Sequence, residues 1–330
     1  MTTFAYGSSA RPADHLGFVA SAHLEAYGDK PGSLYQVLRA PGLIEVEELS
    51  GNLSYADASQ IGEGNPDDAS WRRAINTPNH PPIPPVTETN VAIDLDDWGR
   101  EFQFDLRDPK VQRMAKLKGE AAVEEWAATV ALNYLLQGLS REWLATLGNG
   151  TTPFDAADIN AAGDPWSANS ADLIGMFADL KNGYGLPGLN SLVMTLKNWY
   201  YALENLSWQT RWATPGVGSG GEAGLLAAFA GEGFENVYIV QNDADLLDDA
   251  VVAFRKAPDG PAEANAGLVL AYQVDIAGTG FGSMGSLSDL VKFSVRDVDG
   301  SATVKGITAS LVCDPNIVIP TLGGRIHNTY

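Results

Sequence analysis

Apolar and polar positions follow a helical period most clearly in the segment after Asp108. Pro109 suits the first turn of a helix, and Asp108 suits its N-cap. Helical spacing then continues to about Leu139, so the pattern predicts one long helix over 109–139, followed by a short helix capped by Ser140. The predicted buried face of the long helix comprises Val111, Met114, Leu117, Val123, Trp126, Val130, Tyr134 and Leu135.

The middle and the last third of the chain alternate between helical and strand patterns. An amphipathic helix is predicted over 171–185, and the apolar run Leu192–Met194 after a glycine- and proline-rich turn indicates a short buried strand. An aromatic helix follows near Trp199, then a helix over 222–233 and a strand over 237–241. Further strands are predicted over 251–257, 267–277, 290–298 and 303–314, with a final alternation in 314–330.

The first third of the chain has a weaker pattern. Two short helical stretches are predicted over 15–27 and 33–49, without a dense core pattern. Residues 51–90 are polar and proline-rich, which is typical of a functional arm or a disordered linker. Strand alternation begins in 90–104, and places the aspartates of 94–97 on the solvent side. These patterns together predict an α+β fold.

Composition and charge exclude several classes of protein. The chain has 330 residues with 21 basic and 41 acidic side chains, a net charge of −20, which disfavours tight electrostatic binding of nucleic acid. The lone cysteine, Cys313, excludes an internal disulfide. No apolar run is long enough to span a bilayer, and the short apolar run 16–22 is interpreted as mature chain rather than a signal peptide.

Motifs that carry chemistry are almost absent from the sequence. No catalytic constellation, cofactor site or metal site is predicted, so we expect no enzymatic activity. The best dinucleotide-like match is Gly280, Gly282 and Gly285, which follow a predicted strand. The segment after them is too short for the helix that would hold a pyrophosphate. A cytosolic dinucleotide-dependent α/β enzyme remains an alternative on this motif alone.

One stretch and the order of the elements carry a family resemblance. In residues 172–212 a helix, a turn with Gly185 and Pro187, and the run Asn190, Leu192, Val193, Met194 are followed by a helix containing Leu203. This stretch resembles the major capsid proteins of tailed double-stranded DNA bacteriophages, which share the Hong Kong 97-type fold. Residues 224–240 and the chain end, from Asp314, resemble further parts of that pattern.

The resemblance implies a division of the chain into regions. Residues 1–50 would be an N-terminal arm, and 51–107 an extended E-loop that reaches a neighbouring subunit. Residues 108–170 would be the peripheral domain with its long spine helix, 171–290 the axial domain, and 291–330 the return strands of the peripheral domain.

The resemblance also implies a function. The chain would assemble into pentamers and hexamers of an icosahedral shell around double-stranded DNA, with portal and scaffolding proteins as partners, no membrane and only weak contact with the DNA. It would assemble in the host cytoplasm and reside in the virion capsid. An encapsulin-like cellular nanocompartment is the alternative with the same fold. Aromatic and arginine side chains on exposed arms are the expected contacts between subunits: Trp71, Arg72, Arg73, Trp98 and Arg100.

Overall fold

The computed structural model describes most of the chain: residues 11–28, 30–56, 88–148, 157–182, 188–206, 221–241, 247, 249–256, 267–273, 287–298, 303–318 and 323–329. The α-helices in these ranges are α1 (Gly17–Tyr27), α2 (Pro109–Lys118), α3 (Glu120–Gly148), α4 (Leu173–Asn182), α5 (Leu196–Glu204), α6 (Glu222–Gly231) and α7 (Leu287–Leu290). Short 3₁₀ helices span Asp14–Leu16, Leu34–Arg39 and Ala161–Gly163.

Strands in the described ranges form two sheets and a separate ribbon. They are β1 (Arg11–Pro12), β2 (Gly42–Glu45), β3 (Ser50–Ala56), β4 (Glu88–Asp94), β5 (Asp96–Asp105), β6 (Ala157–Asn160), β7 (Ser191–Thr195), β8 (Asn236–Val240), β9 (Val251–Phe254), β10 (Leu268–Tyr272), β11 (Lys292–Asp297), β12 (Val304–Val318) and β13 (Gly323–His327). The larger sheet has the order β1-β11-β12-β10-β2, and β5 also pairs with β12. The smaller sheet has the order β6-β13-β9-β7-β8, and β3 pairs with β4. The predicted α+β class is confirmed.

Two apolar cores share the strands of both sheets. In β10, Leu270 and Tyr272 belong to the first core, whereas Val269 and Ala271 belong to the second. This division follows from strand geometry, because successive side chains point to opposite faces. The first core also contains residues of α1 and α3, and the second contains residues of α4, α5 and α6. Both faces of the central strands are therefore covered.

The predicted long helix is two helices in the structure. Asp108 caps α2 as expected, since its carboxylate accepts a hydrogen bond of 2.7 Å from the Lys110 amide, and Pro109 occupies the first turn. Gly119 then interrupts the helix with φ of 93°, a conformation that favours glycine. The prediction that Ser140 begins a new helix was wrong, because α3 continues through that buried serine.

Three residues of the predicted buried face are instead exposed. Leu117 is 74% exposed, Tyr134 59% and Trp126 38%. The helix α3 is apolar around much of its circumference, so spacing alone does not fix which side faces the sheet. Its buried side contains small residues, which let the helix approach the strands closely: Ala127, Ala128 and Ala131 lie there among Leu132, Leu135, Leu136 and Leu139.

The predicted strand and aromatic helix after the glycine-rich turn are confirmed. All five residues of β7, Ser191–Thr195, are buried. Thr195 then caps α5, its hydroxyl accepting a hydrogen bond of 3.2 Å from the Asn198 amide. Just before β7, the Asn190 amide bridges to Lys256, donating to its carbonyl at 2.9 Å and accepting from its N–H at 2.7 Å. Asn190 therefore fastens β7 to the chain that leaves β9.

The first third packs more tightly than its pattern predicts. Leu16 and Val37 are fully buried in the first core, and the Gln36 side chain accepts a hydrogen bond from the Ile239 amide. The second predicted helical stretch, 33–49, is a 3₁₀ helix followed by β2. Short apolar segments can fill a core without any helical periodicity, because each contributes only a few residues.

Strand pairing also crosses the predicted boundary at residue 290. The strand β10 lies before that boundary but pairs with β12 in the larger sheet. The strand β13 lies after it but pairs with β9 and β6 in the smaller sheet. Partners in a sheet are set by long-range register and not by neighbourhood in the chain.

Candidate functional site

The part of the chain that the structure describes contains no constellation suited to catalysis by a metal ion. Among the described residues, no group of three or more histidine, cysteine, aspartate or glutamate side chains is arranged so that it could hold a metal ion. Among the described helices, none is long and apolar enough to cross a membrane. The glycines Gly280, Gly282 and Gly285 lie outside the described residues, and the next helix, α7, has four residues.

Cys313 is an unreactive core residue. Its side chain is fully buried in the first core, beside strands β5 and β10 that flank it in the sheet. Burial raises the pKa of the thiol, and the nearby carboxylates of Asp314 and Asp96 raise it further. The thiol stays protonated at neutral pH, so it does not supply the thiolate that nucleophilic catalysis requires.

Two further polar groups have structural roles. The Lys256 ammonium donates to the Tyr238 hydroxyl at 2.7 Å and to the Arg39 carbonyl at 2.8 Å. Burial raises the pKa of Tyr238 to about 12, so the phenol is neutral at physiological pH. The contacts join the N-terminal segment to the smaller sheet and point to no reaction.

A carboxylate–guanidinium pair lies on the larger sheet. The Arg296 guanidinium donates to both oxygens of Glu101, at 2.5 and 2.8 Å. This pairing lowers the pKa of Glu101, against the opposing effect of burial. Gly306, opposite on β12, makes room for the pair, because a Cβ there would lie 2.8 Å from the Glu101 carboxyl carbon.

The predicted contact residues are divided between described and undescribed parts of the chain. Trp71, Arg72 and Arg73 lie outside the described residues. Trp98 and Arg100 both lie on β5. Trp98 is half-buried against the first core, whereas Arg100 is exposed and pairs with no described carboxylate; its guanidinium reaches only the Gly99 carbonyl, at 3.4 Å. Contact of these residues with another subunit stays a prediction.

The strands β3 and β4 form a two-stranded ribbon almost entirely within the predicted loop segment 51–107. The strands pair from Ser50 opposite Asp94 to Ala56 opposite Glu88. Side chains near its base pack against the second core, including Ile93, which is buried. An isolated two-stranded ribbon is only marginally stable in water. A surface beyond this pair of strands, from the loop or from another chain, would stabilise it.

Several large aromatic side chains are exposed, which sequence patterns did not predict. On α3, Trp126 and Tyr134 are spaced by eight residues and lie on the same side of the helix. The Trp126 ring contacts Phe102 edge to face at 5.0 Å. On α1, Phe18 is 55% exposed. Exposed large aromatic side chains are typical of contact surfaces. Comparing the apolar residues on each possible face of α3 could have indicated that some of its aromatic side chains are exposed.

Comparisons with known proteins identify the fold. No family model and no curated protein matches the chain. Among solved structures, a phage-related protein from Bordetella bronchiseptica RB50 aligns with a TM-score of 0.65 and 11% identity, over 98% of this chain and 99% of that one. A virus-like particle from Pyrococcus furiosus aligns with a TM-score of 0.52 and 11% identity, over 95% and 98%. The capsid of Myoviridae phage XM1 aligns with a TM-score of 0.51 and 12% identity, over 91% and 92%.

These alignments cover almost the whole of both chains in each case, so the likeness extends beyond one sheet or one helix pair. At 11–12% identity they concern the fold and not the chemistry of individual side chains. The chain therefore has the mixed α+β, Hong Kong 97-type fold found in these phage capsid and virus-like-particle structures.

Proposed function

We propose that this chain is a structural subunit that assembles with copies of itself into a closed icosahedral shell around double-stranded DNA. The observation that carries the proposal is the near-complete alignment, in both directions, with a phage capsid and with a virus-like particle. A subunit of this kind needs several contact surfaces and no substrate pocket. We assign it no enzymatic activity, no cofactor and no metal.

The ribbon geometry supports an extended loop that reaches a neighbour. Residues 51–107 would form this E-loop, with β3 and β4 as its stem. The stem is seven residues long on each strand, about 20 Å at ~3.3 Å per residue. A neighbouring subunit under the ribbon would supply the apolar contacts that two strands alone lack.

The other regions are proposed with changes that follow from packing. Residues 1–50 would be the N-terminal arm, although their described part from Ala13 onward packs into the subunit's own core. Residues 108–170 would be the peripheral domain, with α2 and α3 as a broken spine. Residues 171–290 would be the axial domain, and 291–330 would return to the peripheral domain. The pairing of β10 with β12 and of β13 with β9 ties these last two regions together.

The proposed contacts between subunits involve residues predicted from the sequence and one residue whose exposure is seen in the structure. Trp71, Arg72 and Arg73 would act from the loop, and Arg100 from the surface of β5. Trp98, being half-buried, would support the strand from inside the subunit. The exposed Tyr134 on α3 adds a contact that the sequence did not indicate.

Pentamers and hexamers would be the assembly units, with portal and scaffolding proteins as partners. Assembly would take place in the host cytoplasm, and the finished subunit would reside in the virion capsid. The net charge of −20 favours an inner face that contacts packaged DNA only weakly.

A cellular nanocompartment is the second candidate function. The alignment with the virus-like particle from Pyrococcus furiosus is as extensive as that with the phage capsid. The same shell geometry would then enclose protein cargo instead of DNA. A dinucleotide-dependent enzyme, the candidate from another class, would instead be a small oligomer that binds the cofactor.

The test is expression of the chain alone and with the genes beside it, followed by sedimentation velocity and negative-stain electron microscopy. Closed shells, or free pentamers and hexamers, are the expected result. Nuclease-protected DNA in the shells would support the capsid, and a single enclosed protein would support the nanocompartment. A monomer or dimer under every condition would contradict the proposal, and binding of a dinucleotide by that species would favour the enzyme.

A further inference from the structure

Helix α2 carries a dense positive charge on a strongly acidic chain. Four basic residues and no acidic residue occur among its ten positions, PKVQRMAKLK, although the whole chain has 21 basic and 41 acidic residues. All four side chains are exposed, and none forms an ion pair with a described carboxylate. Lys110, Arg113 and Lys116, spaced by three residues, lie along one side of the helix and form the basic face of α2; Lys118 lies farther round the helix.

The stability of the helix explains only part of this charge. Lys116 and Lys118 lie in the last turn, where positive charge is favourable to the helix dipole. Lys110 lies in the first turn, where positive charge is unfavourable, and Arg113 lies near the middle. The basic face therefore extends beyond what the helix itself would favour.

A complementary surface lies at the start of β5. The turn after β2 and the junction between β4 and β5 are held together by a hydrogen bond of 2.8 Å from the Leu95 amide to the Leu49 carbonyl. Their carboxylates are exposed, and none pairs with a cation of the described ranges. This acidic edge comprises Glu45, Glu47, Glu48, Asp94, Asp96 and Asp97.

One strand separates the two surfaces. The strand β5 begins at Asp96, in the acidic edge, and ends at Asp105, just before the cap of α2. Its ten residues span about 30 Å at ~3.4 Å per residue. The strand is paired with β12 from end to end, so it cannot fold back. No ion pair among the described residues joins the basic face to the acidic edge of the same subunit.

We propose that the basic face of α2 docks on the acidic edge of a second copy of this chain. The contact joins different surfaces of two identical subunits, and such head-to-tail contacts close into rings when the rotation between copies allows it. Complementary charges of this kind mainly set orientation and association rate, and salt weakens them. The inference rests on the proposed shell function and adds to it a specific contact between subunits.

Phosphate groups of DNA are the competing occupant of a basic helix. Two observations favour a second copy of the chain. The acidic edge supplies carboxylates without partners in the described subunit, and the net charge of −20 opposes approach to a phosphate backbone. Packaged DNA is kept as an outcome of the test.

A charge-swap experiment tests the docking. The basic-face variant is Arg113→Glu with Lys116→Glu, and the acidic-edge variant is Glu47→Lys with Asp97→Lys; the third protein combines all four changes. The matched control reverses two exposed basic residues elsewhere on the surface, Lys30→Glu with Arg141→Glu. The assembled fraction is measured by sedimentation velocity, and the fold of each unassembled subunit by circular dichroism.

Each two-residue variant is expected to lower the assembled fraction about tenfold, and the four-residue variant to restore most of it. The control is expected to assemble like the wild type, whose assembly falls between about 0.05 and about 0.5 M NaCl. Normal assembly of both two-residue variants, or failure of the folded combination to recover, would overturn the docking. Normal shells with less DNA in the basic-face variant would also overturn it and would assign the helix to phosphate. Failure of the wild-type chain to assemble would instead contradict the shell function itself.

Discussion

At the scale of single residues, the pair of Glu101 and Arg296 shows how a charge is kept on a sheet. Both carboxylate oxygens are used by the guanidinium, and the Thr308 hydroxyl adds a longer contact at 3.4 Å. These donors favour the ionised form, so the pKa of Glu101 is lower in the folded subunit than in the unfolded chain. The stabilisation is thus present above the unfolded pKa and is lost as pH falls through the lower, folded pKa.

The substitution Glu101→Gln should therefore destabilise the subunit near neutral pH but not in strong acid. The expected loss at pH 7 is about 1 kcal/mol, since Arg296 is partly exposed to solvent. Urea denaturation of the unassembled subunit between about pH 7 and pH 3 measures it. The control is Glu142→Gln, on the exposed side of α3. A difference that stays constant over this range would contradict the role given to the ionised pair.

A glycine opposite the pair gives a second prediction at this scale. In the wild-type chain, Gly306→Ala should cost about 1 kcal/mol, because the new Cβ would meet the Glu101 carboxyl group and displace it from Arg296. In a Glu101→Ala background the same change should be neutral or stabilising, since alanine restricts the unfolded chain more than glycine does. A double-mutant cycle by urea denaturation measures the coupling. Equal effects of Gly306→Ala in both backgrounds would show that Gly306 is not needed to make room for the contact between Glu101 and Arg296.

At the scale of elements, shortening the loop between β3 and β4 should affect assembly but not folding. Ala56 lies directly opposite Glu88, so a two-residue turn can replace everything between them. We expect the variant with Asn-Gly in place of residues 57–87 to fold as a soluble subunit, because the strands and core residues that the structure describes are all retained in it. The variant should form no closed shells, since the proposed reach to a neighbour is removed.

Sedimentation velocity and circular dichroism of this variant check the prediction. The matched control keeps the length of 31 residues by reversing the order of residues 57–87, which preserves composition but not specific contacts. Loss of assembly in both variants would indicate specific loop contacts. Normal shells from the shortened chain would contradict the role of residues 51–107 as an inter-subunit loop.

The helices and strands also show which features of the fold could be predicted from the sequence. Local chemistry predicted the cap at Asp108 and the buried strand Leu192–Met194, because a proline after an aspartate and an unbroken apolar run each have few structural solutions. The break at Gly119 was missed, since a glycine within a periodic pattern is also tolerated inside a helix. The exposure of Tyr134 depends on which side of α3 meets the sheet, and that choice belongs to tertiary packing.

Long-range pairing was the least predictable level. The strands β10 and β13 each pair across the boundary drawn at residue 290, and no local signal specifies such partners. The surfaces proposed for assembly also depend on long-range packing that no local signal specifies. Arg100 was predicted from residue type alone, whereas the acidic edge exists only because the turn after β2 is folded against the start of β5.

At the scale of the whole molecule, fold and charge distribution support the same account. The net charge of −20 does not describe every surface, because α2 concentrates four cations at the far end of β5 from the acidic edge. Association of many copies at like net charge is opposed by repulsion unless opposite charges meet locally. The basic face of α2 and the acidic edge of another copy would offer such local contacts between opposite charges. The exposed aromatic side chains on α1 and α3 would offer apolar contacts.

The most direct test of this account is a cryo-electron microscopy reconstruction of particles formed by the wild-type chain. The account predicts a closed icosahedral shell whose subunit density accommodates both sheets, the broken helix pair and the β3–β4 ribbon, with residues 57–87 resting on a neighbouring subunit. The basic face of α2 should meet the acidic edge of another copy. Discrete dimers or an open aggregate would contradict the account, as would a shell whose subunit density does not fit this fold.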